Sequence, residues 1–233
     1  MENIVAPQVA PDPGKPLLEL IDLHHKWRSD RPPVLEAASL ALASGSVTWI
    51  GGRNGAGKTT LLRIAAGILI PQAGIVRLAG LDPIRHRGAY QRHLGFLSAG
   101  DRGLNARMKV NQQLDYWARL AYVPRNERRA RVADAIASFE LEGLAHQRVD
   151  RMSMGQRQRV RLAMALLHAP DLVLLDEPRN SLDDDGYRVL SGQVMAAARR
   201  GAAVLWCSPR GEDRVLSFDA SYTLEDGRLE RVE

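Results

Sequence analysis

One short segment, residues 51–60, constrains the fold of this 233-residue chain more than any other. It reads Gly-Gly-Arg-Asn-Gly-Ala-Gly-Lys-Thr-Thr and directly follows residues 46–50, a run typical of a buried strand. Apolar residues then recur at helical spacing as far as residue 69, and Pro71 and Gly74 mark the end of that helix. A strand, a glycine-rich turn and a helix in this order indicate an α/β unit.

The rest of the chain alternates between strands and helices in the same way. Residues 17–23 and 34–42 alternate apolar and polar side chains, which predicts strands of an antiparallel sheet. Further strands are predicted at 76–78, 94–97, 172–175 and 203–207, and helices over most of 111–144, over 152–168 and near 187–200. Asp226 and Gly227 form a compact turn between two short C-terminal strands. The predicted fold is α/β, with a mostly parallel sheet, an N-terminal antiparallel β-subdomain and a helical insertion.

The glycine-rich segment also predicts a phosphate-binding site. Its pattern, Gly52-x4-Gly57-Lys58-Thr59, lets the backbone curl so that several N–H groups point at one anion. The lysine adds a positive charge, the threonine hydroxyl suits Mg²⁺, and the partial charge of the helix N-terminus adds to the attraction. Chance would produce this pattern in roughly 1% of chains of this length. The residues predicted to bind the phosphates of a nucleotide are Gly52, Asn54, Gly55, Ala56, Gly57, Lys58, Thr59 and Thr60.

Two acids follow the apolar strand predicted at residues 172–175. Asp176 and Glu177 come where this strand reaches its carboxyl end, the edge at which an open α/β sheet places ligands. Asp176, together with Thr59, is predicted to hold Mg²⁺, and Glu177 to orient or deprotonate an attacking water. Taken alone, the two acids are explained equally well by a turn before Pro178. The phosphate loop decides in favour of nucleotide hydrolysis.

The composition of the chain excludes several other classes of protein. No run approaches the ~18 apolar residues that cross a bilayer, because His168 and Pro170 interrupt the most apolar stretch. Residues 1–16 contain four prolines and no signal-peptide pattern, which predicts a flexible tail before a single domain at residues 17–231. A single cysteine, Cys207, fits a reducing compartment. The net charge of +5 comes from dispersed arginines, which favours solvated helix faces over a phosphate-binding face.

Between the phosphate loop and the two acids, residues 152–159 read Met-Ser-Met-Gly-Gln-Arg-Gln-Arg. Taken alone, Ser153 favours a helix N-cap. Its position, after a helical insertion and shortly before the acidic strand, resembles the signature loop in the nucleotide-binding subunits of ATP-binding cassette (ABC) transporters. The resemblance covers residues 17–230. It implies a P-loop NTPase core, with a helical subdomain at about residues 100–165.

The resemblance also implies roles for residues outside the phosphate loop. Trp27 falls where the family stacks an aromatic ring on adenine, and a core tryptophan is the alternative. Ser153, Gly155 and Gln156 correspond to the loop that contacts ATP held by a partner subunit, and Asp183 to the loop that passes between the subunits. Family members sandwich two ATP molecules, with Mg²⁺, between two cassettes. The implied partners are a second cassette, identical or distinct, and membrane-spanning transporter subunits, without nucleic acid.

Three positions depart from the family pattern. Ala99 replaces the glutamine expected after the strand at 94–97, and Met154 replaces the first glycine of the signature pair. Pro209 replaces the histidine expected after the strand at 203–207. The site keeps the groups that bind ATP and lacks two accessory polar groups for hydrolysis, which predicts secure binding and slow turnover.

The resemblance leaves several functional alternatives open. Residues 96–104 look like those of exporter-type members, which often lack the glutamine, and this favours export. The implied location is the cytoplasmic face of the membrane, on the membrane-spanning subunits. The first alternative is a regulatory cassette that hydrolyses ATP weakly and pairs with a distinct, competent cassette. The second is a soluble member of the family acting on DNA or ribosomes, which the lack of sustained heptads disfavours.

Overall fold

The structure is a computed structural model that describes residues 15–100, 103–209 and 216–232 of the chain. The tail predicted at residues 1–16 therefore lies almost wholly outside the described residues. The strands are β1 (Leu18–His25), β2 (Leu35–Leu42), β3 (Val47–Gly51), β4 (Ala73–Leu78), β5 (Leu94–Leu97), β6 (Leu172–Asp176), β7 (Ala203–Ser208), β8 (Ala220–Glu225) and β9 (Arg228–Val232). The helices are α1 (Lys58–Ala65), α2 (Arg87–Arg92), α3 (Val110–Leu120), α4 (Arg125–Ser138), α5 (Met154–Leu166) and α6 (Asp184–Arg199), with short 3₁₀ helices at Glu142–Leu144 and Val149–Arg151.

The strands form two sheets. A three-stranded antiparallel sheet has the order β2-β1-β4, and a six-stranded sheet has the order β5-β6-β7-β3-β8-β9. In the larger sheet every neighbouring pair is parallel except the C-terminal hairpin of β8 and β9. Helices α3 and α4 are inserted between β5 and α5. The predicted α/β fold class is confirmed.

The inner strands β6 and β7 of the larger sheet are buried on both faces, which explains why β6 is an uninterrupted apolar run. Val173 and Leu175 pack into one hydrophobic cluster, with Trp206 and the helical insertion. Leu172 and Leu174 pack into a second cluster on the opposite face, with α1 and the antiparallel sheet. Because side chains alternate along a strand, β6 contributes to both clusters. This packing on both faces fixes the carboxyl end of β6 in place.

The predicted end of the first helix was wrong. Helix α1 ends at Ala65, one turn before residue 69, because Gly67 adopts a left-handed conformation with φ of 63° and closes the helix. Ile68, which fits the helical spacing in the sequence, is 61% exposed. Ile68 and Ile70 thus lie at the surface, whereas Leu69 is partly buried against the core.

Candidate active site

The phosphate loop joins the central strand β3 to helix α1. Gly55 and Gly57 have φ values of 83° and 108°, a region of backbone conformation that glycine adopts without strain. At Gly57 a Cβ atom would also lie 2.8 Å from Cγ1 of Val34. The ammonium group of Lys58 is buried and donates hydrogen bonds to the carbonyl oxygens of Gly52 (2.6 Å) and Arg53 (3.1 Å). The loop therefore holds a positive charge within its own curve.

A cavity of about 920 Å³ opens beside this loop. Of the eight predicted phosphate-binding residues, seven line the cavity: Asn54, Gly55, Ala56, Gly57, Lys58, Thr59 and Thr60. The eighth, Gly52, packs closely against β8, since a Cβ atom there would lie 2.7 Å from the carbonyl oxygen of Leu224. Glu177 lines the same cavity. The structure thus brings the predicted catalytic acid and the phosphate loop to one site.

Trp27 lies at the wall of this cavity and is 54% exposed, so it is not a core tryptophan. The His25 ring packs edge-on against it, with centroids 4.8 Å apart and planes at 84°. Burial lowers the pKa of His25 below its ordinary value. A neutral imidazole therefore supports the indole, whose remaining surface is free to stack on a planar group.

Sequence reasoning missed several residues of the cavity wall. Arg28 and Arg31 follow Trp27 in the loop between β1 and β2, and both line the cavity. Asp226 and Gly227, predicted only as a hairpin turn, line it too. The Gly227 carbonyl accepts a hydrogen bond of 2.8 Å from the Glu36 amide, which ties the hairpin to β2. The positions of Arg28 and Arg31, directly after the predicted adenine-stacking tryptophan, could have indicated that they belong to the site. Nothing in the local sequence of the hairpin indicated that it lines the cavity.

Asp176 ends β6 directly beside the start of α1. The Thr59 hydroxyl donates a hydrogen bond of 2.8 Å to Asp176 Oδ2, and the Ala99 amide lies 3.4 Å from the same oxygen. Burial raises the pKa of the Asp176 carboxyl, and these two hydrogen bonds act in the opposite direction. The other oxygen, Oδ1, is buried without a hydrogen-bond partner among the described residues. A hydroxyl beside a buried carboxylate with an unsatisfied oxygen fits a Mg²⁺ ion carried by a nucleotide.

Glu177 is held by its backbone and by one neighbouring side chain. Its φ is 50°, and its amide donates a hydrogen bond of 2.8 Å to the Cys207 carbonyl on β7. Its carboxylate oxygen Oε2 accepts a hydrogen bond of 2.7 Å from Asn180 Nδ2. Asn180 was not predicted as a site residue, because a single asparagine in a turn carries no pattern. The contact fixes the side chain that the sequence assigns to the attacking water.

Ala99 and Pro209 follow β5 and β7 and lie at the same end of the sheet as Asp176, the carboxyl end of its parallel strands. Pro209 follows Ser208, whose hydroxyl oxygen accepts a hydrogen bond of 2.8 Å from Trp49 Nε1. Proline has neither a side-chain donor nor a backbone N–H. Ala99 contributes its amide to Asp176 and no side-chain polar group. Neither residue therefore offers a side-chain hydrogen-bond donor at this end of the sheet.

The signature loop begins helix α5. Ser153 caps the helix, since its hydroxyl accepts a hydrogen bond from the Gln156 amide (3.2 Å), and the Gln156 side chain accepts one from the Ser153 amide (3.0 Å). A Cβ atom on Gly155 would lie 2.7 Å from the Ser181 carbonyl oxygen, so the loop lies close to the segment that leads into α6. Asp183 caps α6 by accepting a hydrogen bond from the Gly186 amide, which lowers the pKa of Asp183.

This fold, with its phosphate loop and two acids at one edge of a parallel sheet, defines a P-loop ATPase domain. A family model described as "ABC transporter" matches residues 35–180. The chain is 32% identical over 216 residues to the ABC transporter ATP-binding protein NatA of Bacillus subtilis (strain 168), covering 91% of this chain and 87% of that relative. It is 35% identical over 180 residues to the Fe(3+) ions import ATP-binding protein FbpC of Escherichia coli (strain K12), covering 77% of this chain and 51% of that relative.

Solved structures agree with the observed architecture. The dimeric structure of a post-hydrolysis state of the ATP-binding cassette MJ0796, bound to ADP and Pi, superposes with a TM-score of 0.81 at 24% identity, covering 93% of this chain and 97% of that one. This likeness shows the fold. With the family match, it follows that the chain belongs to the ABC transporter family and is an ATP-binding subunit with ATPase activity. No helix among the described residues combines the length and apolar character that crossing a bilayer requires.

Proposed function

We propose that the chain is the ATP-driven motor of an exporter whose membrane-spanning parts are separate subunits, and that it works with a second cassette at the cytoplasmic face of the membrane. The observation that carries the proposal is the single cavity shared by the phosphate loop, Trp27 and Glu177. In this arrangement the loop amides and Lys58 bind the phosphates of ATP, and Trp27 stacks on the adenine. Glu177, held by Asn180, orients the water that attacks the terminal phosphate.

Thr59 and Asp176 are the residues that would hold Mg²⁺, which would neutralise charge on the transferring phosphate. Their hydrogen bond of 2.8 Å already sets the hydroxyl against the carboxylate. Ser153, Gly155 and Gln156 would act on ATP bound by the partner cassette, and Asp183 would lie at the contact between the two. The capping hydrogen bonds of Ser153 and Asp183 support this placement by fixing the starts of α5 and α6.

Substitution of Lys58 by alanine tests the nucleotide site. We expect Lys58→Ala to weaken ATP binding strongly while preserving the fold, because its charge and the loop amides are the main compensation for the triphosphate. The matched control is Lys109→Ala, which removes an exposed lysine at the start of α3. Calorimetric titration with ATP measures both variants. If folded Lys58→Ala binds ATP as tightly as the parent and the control, the site assignment is wrong.

A groove of about 610 Å³ supports the placement of the membrane-spanning partner. Its lining includes the apolar side chains of Ile68, Phe96, Met164 and, from the helical insertion, Trp117, together with polar residues such as Arg161. A photoreactive residue at position 68 should crosslink to the membrane subunit, and one at Asn54 in the phosphate loop should not. Crosslinks found only from Asn54 would contradict this docking face.

The proposal includes the direction of transport, which is export. Residues 96–104 support export, because they lack the glutamine that exporter-type members of the family often lack. Purification of the native complex tests the direction. Recovery of a substrate-binding protein from outside the membrane would contradict export. The same purification tests the second candidate function, a regulatory cassette, which Ala99 and Pro209 favour. A second, different cassette in the complex is the outcome expected of that candidate.

A further inference from the structure

Arg161 is a buried arginine in the middle of helix α5, only 7% exposed. A buried guanidinium group is costly unless it donates hydrogen bonds. Its Nη1 donates to the side-chain oxygen of Gln158 (2.7 Å), one turn earlier on the helix, and its Nη2 donates to the Ser98 carbonyl. The side chain thus fastens α5 to the loop that follows β5.

Gln158 extends this connection to a second loop. Its Nε2 donates a hydrogen bond of 3.0 Å to the carbonyl of Pro178, and Gln158 is itself buried. Pro178 directly follows Glu177. Two side chains on α5 therefore donate hydrogen bonds to the backbones of the loops after β5 and β6. These loops carry Ala99 and the catalytic carboxylate of Glu177.

Arg161 also separates two cavities. It lines the apolar groove of about 610 Å³ together with Leu97, Ser98 and Trp117. It lines as well a cavity of about 300 Å³ that contains Asp176, Glu177 and Asn180. A group bound in the groove and a group bound at the catalytic acids could therefore both contact this one residue.

We propose that Arg161 is a positioning residue that transmits occupancy between the catalytic cavity and the apolar groove, through Ser98 on one side and Gln158 and Pro178 on the other. The family resemblance expects a glutamine at the position of Ala99, whose methyl side chain is too short to span the two cavities. Arg161 spans them from the neighbouring helix. The binding of a membrane subunit in the groove rests on the proposed function. The coupling of the groove to ATP hydrolysis through Arg161 does not, because it depends only on residues of this chain.

The test uses the full chain and two readouts. Arg161→Ala should lower kcat for Mg-ATP by about tenfold, because the loops that carry Ala99 and Glu177 lose a shared hydrogen-bonding partner and small displacements of catalytic groups slow a reaction by up to roughly 10²-fold. ATP affinity should stay close to that of the parent. Trp117 reports on the groove: the parent should show a change in tryptophan emission on binding Mg-ATP that Trp117→Phe removes. Arg161→Ala should lose this component although it binds ATP. Arg161→Lys, which keeps the charge but not the two-sided grip, should recover only part of kcat.

Arg128→Ala is the matched control. Arg128 lies on α4 and also donates to a backbone carbonyl, that of Val123 (2.8 Å), within the helical insertion, and it lines neither of the two cavities. It should keep the parent's kcat and Trp117 response. If Arg161→Ala fails to fold, Arg161→Met, which retains most of the volume, takes its place. Parent-like kcat and Trp117 emission in the Arg161 variant, or a parent without any Trp117 response, overturns the proposal. Absence of crosslinks from the groove to a membrane subunit would instead count against the proposed function and leave both readouts unchanged.

Discussion

Pro209 follows β7, at the position where the family resemblance implies a histidine that donates to the terminal phosphate of ATP. Proline has neither a side-chain donor nor a backbone N–H, so it cannot supply that hydrogen bond. Loss of one preorganised donor to a transferring phosphoryl group costs about 2.7–4 kcal/mol, or roughly 10²–10³ in rate. Pro209→His should therefore raise ATP turnover towards that factor without tightening ATP binding.

Steady-state phosphate release measures this effect, with the subunit in its native complex. Pro209→Ala is the control, because it removes the ring and adds no side-chain donor, and it should leave turnover near the parent's. A parent that already hydrolyses ATP at several per second, with no gain from histidine, would show that another group supplies the interaction.

Asp176 is the residue whose charge works against folding. Burial raises its pKa, so the stability linked to its protonated form is present at pH below the ordinary carboxyl pKa and is lost as the pH rises through the raised value. At neutral pH, Asp176→Asn should melt a few degrees above the parent in the absence of nucleotide, and the difference should vanish in acid. It should also lose Mg-dependent hydrolysis.

Melting curves across the pH range test this, with Asp134→Asn as the control at an exposed position on α4. Asn at position 134 should leave the melting temperature nearly flat relative to the parent at every pH. If the Asp176→Asn variant melts below the parent at neutral pH, the hydrogen bond from Thr59 to the Asp176 carboxylate outweighs the cost of burying that charge.

Among the elements, α5 and β5 pack closely together at Gly95. A Cβ atom there would lie 2.2 Å from the Ala165 carbonyl oxygen, which belongs to backbone and cannot move aside. Gly95→Ala should therefore destabilise the fold by about 1–3 kcal/mol. Gly192→Ala in α6, where nothing lies within 4 Å, should instead stabilise it by about 0.5–1 kcal/mol. Urea unfolding compares the two, and equal effects would refute the close packing of α5 on β5.

The elements also show how far sequence reasoning reaches. Glycine spacing and the apolar run of β6 are local, so the phosphate loop, Asp176 and the sheet that carries them could be predicted. The contacts of Asn180 with Glu177 and of Arg161 with Ser98 could not, because neither residue belongs to a periodic pattern and the second contact joins positions far apart in the chain. The predicted last turn of α1 was wrong for a physical reason. The positive φ of Gly67 ends the helix, and the spacing of apolar residues carries no information about φ.

At the scale of the whole molecule, the family resemblance implies that two cassettes close on ATP and reopen after hydrolysis. Glu177→Gln keeps the shape of the side chain and its contact with Asn180 but cannot accept a proton from water. We expect this variant to form a dimer with Mg-ATP, alone or with its partner chains, that persists. Light scattering coupled to size exclusion measures its mass.

The double variant Lys58→Ala, Glu177→Gln separates dimerisation through ATP from association of any other kind. Without the phosphate-loop charge it should remain monomeric at the same Mg-ATP concentration. A single Glu177→Gln variant that stays monomeric even with its partner chains would contradict the two-cassette arrangement.

The strand order gives the ATP cavity two walls of unequal rigidity. β3, which carries the phosphate loop, lies between β7 and β8, whereas the Asp226–Gly227 turn belongs to a hairpin whose strand β9 forms the edge of the sheet. In hydrogen-exchange terms, the amides of β3 should exchange only through global unfolding, and those of β9 through local opening at much lower free energy. The phosphates of a bound nucleotide therefore lie against a rigid part of the sheet, whereas the hairpin on the other side of the cavity opens locally. Bound ATP should slow amide exchange most in the hairpin.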